Sequence, residues 1–423
     1  MTTQFSRLAQ RTHPPEISWL MAQALEVPDL ISLAVGFVDQ GSLPNRLVAS
    51  EMAVMLESSK TGPAALQYGT TQGDLDLRTR LVEKLTQEQI FHPRAGIRAE
   101  HLLLGSGSQQ ILYLLSETLL DEGDIVLVEA PTYFVVLGAF QSRGARTVGI
   151  DTDEQGLVPE SLLECLQVLE RSGELSRVKF LYVMTYSTNP LGVTLPEERR
   201  TAIVDILRRY QDKGAPILFV EDAAYRRLSY RDQIPAPVKY YDENNDFVLY
   251  TESFSKSFAP GLRLGFAVGP KPLIDKMVDI KGNHDFGSSN LSQQLLKRIL
   301  QTDTFEKQIR NLRKVYAHKC DQVMEVLKDT FPPEAGWTRP DGGFYTWITL
   351  PDAWDTGGQS ELFQQALRER VLYVPGNLCY SPDRAESKQS SSIRLAYGMI
   401  SEKQLTEGCE RLAHALNAVA APV

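Results

Sequence analysis

Three side chains in this sequence stand where they could do covalent chemistry: Lys256, Asp222 and Arg394. Lys256 closes Ser253-Phe254-Ser255-Lys256, just past the apolar run FVLYT (247–251). An amine held at the end of a buried strand loses hydration, and its neutral form is a nucleophile. Asp222 follows the apolar run ILFVE (217–221). A carboxylate there could ligate a metal, act as a base or pair with a cationic ring nitrogen. No cluster of His, Asp and Glu completes a metal site around it, so the metal reading is the weakest. Arg394 lies between Ile393 and Leu395, where a buried charge demands an answering anion. GSGSQQ (105–110) has the form of a strand-to-helix turn, whose free N–H groups favour a phosphate. Gln110 stands where a dinucleotide site wants a third glycine, and the GK[ST] of a P-loop is absent, so one phosphate suits the turn best. Arg263, in PGLRLGF (260–266), could clamp the same phosphate with both arms of its guanidinium.

These residues need strand ends to hold them, and the pattern supplies strand ends. Leu102–Leu104, Ile125–Glu129, Val178–Thr185, Ile217–Glu221, Phe247–Thr251 and Leu264–Val268 read as strands. Helical patterns fall between them, over 105–120, Thr132–Ser142 and Pro196–Lys213. The last has Glu197 and Glu198 in its first turn and Ile203, Ile206, Leu207 and Tyr210 on one face. Alternation of this kind predicts an α/β fold with a mostly parallel, doubly wound sheet covered on both faces. Ligands of such sheets bind beyond the carboxyl ends of the strands. After residue 295 the texture changes to a long polar helix (Phe305–Lys328), a β-rich stretch at Gly343–Leu350, a further helix and Ile393–Tyr397. We expect a large domain over 41–295 and a smaller α+β domain over 296–423, with residues 1–40 packing on the latter. SPDRAESKQSSS (381–392) reads as a flexible surface loop just before Arg394.

Composition removes several alternatives. With 44 basic and 53 acidic residues the net charge is −9, and no basic block marks a nucleic-acid footprint. The four cysteines form no CxxC pair, which argues against structural zinc and a disulfide framework. No run approaches the roughly eighteen apolar residues of a membrane span, and residues 1–15 lack a signal-peptide core. A cytoplasmic protein with no membrane or nucleic-acid partner is expected.

Taken as an ordered set, the motifs are specific. Gln67-Tyr68-Gly69, GSGSQQ, Pro131-Thr132-Tyr133, Asn189-Pro190, EDAAY (221–225), SFSK, PGLRLGF and Ile393-Arg394-Leu395 together resemble the class I/II aminotransferases of the fold-type-I pyridoxal-phosphate enzymes. The nearest likeness is to the subgroup of 2-aminoadipate, kynurenine and multi-substrate transaminases. The resemblance implies ping-pong transamination between an amino acid and a 2-oxo acid, with pyridoxal 5′-phosphate held as a Schiff base on Lys256. It implies that Asp222 keeps the pyridine nitrogen protonated, and that Asn189 and Tyr225 bind the ring's phenolic oxygen. Tyr133 would stack on the ring. Gly107, Ser108, Gln109, Ser253, Ser255 and Arg263 would hold the phosphate. Arg394 would fork onto the substrate α-carboxylate, with Asn189 and Gly36 beside it. Tyr68 would reach the phosphate of a partner subunit, which implies a homodimer.

One departure bears on substrate. Where aminoadipate-type relatives carry an arginine for a second carboxylate, Pro15-Glu16-Ile17-Ser18 places Ser18, which puts an acidic substrate side chain in doubt. Lyase chemistry on the same anchors is the alternative reaction. Regulators that fuse such a domain to a DNA-binding module are disfavoured, because the pattern begins near Leu33 and the chain is acidic.

Overall fold

The protein was analysed as a computed structural model that describes residues 4–14, 16–384 and 391–419. Short apolar runs bounded by turns become strands, because only pairing satisfies their buried backbone. In chain order these are β1 (Ile31–Ser32), β2 (Leu102–Gly105), β3 (Ile125–Ala130), β4 (Arg146–Asp153) and β5 (Gly156–Leu157). Then follow β6 (Val178–Met184), β7 (Leu218–Asp222), β8 (Val248–Ser253) and β9 (Gly265–Val268). The remainder are β10 (Gly336–Trp337), β11 (Tyr345–Thr349), β12 (Val371–Leu372), β13 (Val374–Pro375) and β14 (Ser392–Ala396).

The main sheet has the order β2-β9-β8-β7-β6-β3-β4-β5. Its centre, from β8 through β7, β6 and β3 to β4, is parallel. Alternate residues of these strands enter two cores, as a period of two requires. Val126, Val128, Phe180, Tyr182, Val220 and Leu249 face the helices Ser108–Leu119 and Phe134–Ser142. Leu127, Leu181, Val183, Phe219 and Val248 face Pro159–Arg171 and Glu197–Asp212 on the other side. The expected doubly wound sheet is present.

Some sequence expectations need correction. Leu264–Val268 is a strand, but β9 runs antiparallel to both β8 and β2. The intervening residues hold only a helical turn and a tight 3₁₀ turn, too short a connection for a parallel crossover. The helix expected from Thr132 begins at Phe134, and the Thr132 N–H donates to the Cys379 carbonyl at 2.7 Å. The 381–392 segment is not simply surface: Ser381, Ser391 and Ser392 are buried, and Ser392 opens β14. Residues 385–390 of that segment lie outside the described residues.

A four-stranded antiparallel sheet, β10-β11-β14-β13, carries Arg394. It packs with the helices Thr304–Thr330 and Glu402–Ala418. The N-terminal segment joins this part, since β1 pairs with β12 and the Leu33 carbonyl accepts from the Ala396 N–H at 2.6 Å. Among the described residues, no helix is long and apolar enough to cross a membrane.

An ionic cluster braces the two strands that matter most. Glu252 on β8 accepts from Arg226 Nε at 3.0 Å and Arg227 Nε at 2.8 Å, and both arginines also engage Glu88. Burial pushes the Glu252 carboxyl up, but Arg227 and Arg226 outweigh it and hold it below its ordinary range. Glu88 is likewise driven to about 2, its burial overcome by the same two guanidiniums. Because the folded value is depressed, Glu88 contributes stability above the ordinary carboxylate range and loses it as pH falls toward 2. Glu252→Gln leaves two interior arginines sharing the single charge of Glu88 and should cost about 3 kcal/mol, read as a lower thermal midpoint. A variant that melts with the wild type would show the cluster to be neutral.

Candidate active site

The carboxyl ends of β6, β7 and β8 lie side by side and open onto a cavity of about 280 Å³. Lys256 stands on the single turn Phe254–Ser257 directly after β8, a turn capped by Ser253 Oγ accepting the Ser255 N–H at 3.2 Å. Its Nζ donates to the Gly36 carbonyl at 2.6 Å and lies 5.4 Å from the centre of the Phe344 ring. Burial first, then the positive charges of Arg394 and Arg263, lower the amine to about 8. Asp222, the last residue of β7, shares the cavity. Its Oδ1 accepts the Ala224 N–H at 3.1 Å and its Oδ2 accepts the Tyr182 hydroxyl at 2.9 Å. Burial raises it to about 6 against those two hydrogen bonds.

Arg394 is buried on β14. Nη1 donates to Asn189 Oδ1 at 3.1 Å, Nη2 donates to the Ala34 carbonyl, and Nε is buried without a partner. A buried cation with an unanswered donor fits an anionic ligand. The Asn189 contact leaves its Nδ2 as the end that can donate to a ligand. Tyr225 donates its hydroxyl to Tyr345 at 3.0 Å.

At the opposite end, Gly107 has φ +85° and caps the helix Ser108–Leu119. A β-carbon on Gly107 would meet Arg263 Nη2 at 3.0 Å, so glycine is what lets the guanidinium and the helix N-terminus face one space. Arg263 reaches Ser255 Oγ at 3.3 Å and the Ser106 carbonyl at 3.0 Å. Gln109 also faces the cavity, with its Oε1 buried and without a partner. Helix terminus, hydroxyls and guanidinium form a donor set for one phosphate. A lysine and a carboxylate sit on the same cavity beyond it, and pyridoxal phosphate fits that arrangement.

Of the residues expected from sequence, the cavity gathers Gly36, Gly107, Ser108, Gln109, Tyr133, Asn189, Asp222, Tyr225, Ser253, Ser255, Lys256, Arg263 and Arg394. Tyr68 is not among them: it is 89% exposed, outside the cavity. Nor is Ser18, which is exposed, whereas Ile17 faces the cavity. Sequence reasoning missed Tyr345, Tyr182 and Glu129. The pair Gly342-Gly343 just before Phe344-Tyr345 marks a close backbone approach and is a usable signal for the first. Tyr182 carries only a hydroxyl inside an apolar run, and Glu129 only a charge at its end.

The chain belongs to the class I and II aminotransferase family, whose model matches residues 28–412. It is therefore a pyridoxal-phosphate-dependent enzyme that transfers amino groups between amino acids and 2-oxo acids. Aromatic-amino-acid aminotransferase 1 of Thermococcus litoralis is 32% identical over 97% of this chain and 94% of its own. The 2-aminoadipate transaminase of Thermus thermophilus is 32% identical over 94% and 92%. The crystal structure of Pyrococcus horikoshii kynurenine aminotransferase, in complex with PMP, superposes with a TM-score of 0.88 at 32% identity, covering 98% of this chain and 97% of that one.

The lowered Lys256 amine has a kinetic consequence. It is neutral, and so reactive, above about pH 8 and protonated below. The rate at which apoprotein captures pyridoxal phosphate should rise through about pH 8. A rise confined to the ordinary lysine range, above about pH 10, would contradict the buried cationic setting.

Proposed function

We propose that the chain transaminates amino acids with apolar side chains, using Lys256 as the group that captures the cofactor and moves the substrate α-proton. The observation that carries this reading is the convergence of Lys256, Asp222 and Arg394 on one cavity. Bound there, pyridoxal phosphate supplies an aldehyde for amine exchange and a ring that withdraws electrons from the α-carbon. Asp222 answers the positive ring nitrogen. Asn189 would donate to the phenolic oxygen, Tyr225 would turn its hydroxyl proton there from Tyr345, and Tyr133 would cover the ring face. Gly107, Ser108, Gln109, Ser253, Ser255 and Arg263 hold the phosphate. Arg394 takes the α-carboxylate beside Asn189 and Gly36. The Lys256 amine, lowered to about 8, would serve as the base that takes and returns the substrate α-proton.

Among the described residues, the charged ones on the cavity are Asp222, Lys256, Arg263 and Arg394, and each has a partner in this scheme. The lining also includes an apolar wall of Ile17, Val35, Phe37, Phe134 and Val135. That wall, and the likeness to an aromatic-amino-acid aminotransferase, support an apolar substrate side chain. We further propose a homodimer in which Tyr68 contacts the partner's site. Leu66, Tyr68, Leu75 and Phe286 are all exposed, and uncovered apolar side chains of this size suit a protein interface. We place a large domain over 41–295 and a smaller one over 296–423, with residues 1–40 on the smaller part. A cytoplasmic location fits the buried thiols Cys320, Cys379 and Cys409, which form no disulfide.

Lys256→Ala should abolish the visible absorbance of lysine-bound cofactor and nearly all turnover; retention of either would sink the assignment. Half-reactions with single amino acids, followed by that absorbance, test the substrate class. Ile17→Asp should lower kcat/KM for leucine and phenylalanine by roughly tenfold, with alanine changed less than about threefold, since a charge on the wall penalises only side chains that reach it. Equal losses for all three would place Ile17 away from the substrate.

A further inference from the structure

Tyr182 lies on β6 two residues before Met184, and Met184 is the backbone partner of Asp222 on β7. Tyr182 and Asp222 therefore project from the same face of the sheet. Tyr182 has no exposed surface, and its hydroxyl donates to Asp222 Oδ2 at 2.9 Å. A phenylalanine would fill the same core space among Phe140, Phe180 and Val220. A hydroxyl in so dry a place is costly unless a strong acceptor answers it, and an ionised carboxylate is the strongest available.

We propose that Tyr182 is a positioning residue: its hydroxyl anchors the Asp222 carboxylate so that it faces the ring nitrogen of bound pyridoxal phosphate. This rests on the reading that Asp222 pairs with that nitrogen. Tyr182 and the Ala224 N–H fix one oxygen each, which sets the plane of the carboxylate. The titratable groups around Asp222 are Tyr182 on β6, Glu129 on β3, Tyr133 after β3, and Lys256 and Tyr225 on the shared cavity. Tyr182 is driven well above its ordinary range by burial and then by Asp222, so it donates at every working pH. Glu129, which accepts the Met184 N–H at 2.8 Å, is raised to about 8 by burial and by Asp222. It keeps its proton at neutral pH, so the negative charge of the pair resides on Asp222. Removing the Tyr182 donor removes stabilisation of ionised Asp222, and that carboxyl must then titrate higher.

The test compares apoprotein binding of pyridoxal phosphate with binding of an analogue carrying carbon in place of the ring nitrogen. Tyr182→Phe should weaken pyridoxal phosphate about tenfold, the loss expected for one hydrogen bond to a charged group, and leave the analogue within about twofold. The pH below which pyridoxal phosphate affinity falls should move upward. Tyr182→Met provides a second variant, and circular dichroism reports the fold of both. Loss of both ligands alike, or of neither, overturns the proposal, because packing alone does not distinguish nitrogen from carbon. Asp222→Asn separates the two levels of the argument. If it fails to discriminate between the ligands, the pairing of Asp222 with the ring nitrogen falls and Tyr182's role with it. If it discriminates while Tyr182→Phe does not, only the role of Tyr182 is lost.

Discussion

The site depends on the spacing of adjacent parallel strands. Neighbours in a sheet stand about 4.8 Å apart, so the last residue of β7 and the first residues after β8 emerge side by side. Asp222 pairs across to Thr251, and the chain then turns through Ser253 into the short helix that presents Lys256. A carboxylate and an amine are thus fixed on one cavity by backbone pairing alone, before any side chain is packed. The Glu252–Arg226–Arg227–Glu88 cluster grips these connections from behind, because Glu252 belongs to β8 while both arginines follow directly after Tyr225.

Charge in the cavity is arranged by opposition. Lys256, Arg394 and Arg263 form a cationic side, and the lysine gives way because its proton is the most readily lost of the three. Asp222 is the acidic group on the cavity, with Glu129 buried near it; burial raises both, and the charge of Asp222 raises Glu129 further. A ligand carrying a phosphate at one end and a cationic nitrogen at the other meets the complementary sign at each. The field of these charges is what favours the cofactor.

How far the sequence alone reached follows from what each feature depends on. Apolar runs and turn residues are local, so the strands at 125–129, 178–185 and 247–251 and the helix over Pro196–Lys213 were all visible in it. Lys256, Asp222 and the GSGSQQ turn were visible for the same reason: each follows an apolar run at a strand end. The direction of β9 was not, since it depends on the length of the preceding connection rather than on any residue type. Tyr182 was hidden because its significance comes from a partner on the neighbouring strand, forty residues away. Ile17 was hidden because a helix turns adjacent residues by about 100°, and only the docking of that helix decides which one meets the cavity.

The N-terminal segment contributes to the site in a way no motif announces. Its backbone carbonyls answer two cations of the site: Ala34 accepts from the buried Arg394 and Gly36 from the half-buried Lys256. Both are hydrogen bonds that a substrate carboxylate and a cofactor aldehyde must displace or share. Gly36 is admitted there by size, because a β-carbon would lie 2.1 Å from the Tyr345 hydroxyl, the same hydroxyl that engages Tyr225. The segment also pairs β1 with β12 and bonds to Ala396, two residues beyond Arg394. One stretch of chain therefore couples the sheet that holds the lysine to the sheet that holds the arginine. The carbonyls that touch the two cations are only two residues apart in that stretch.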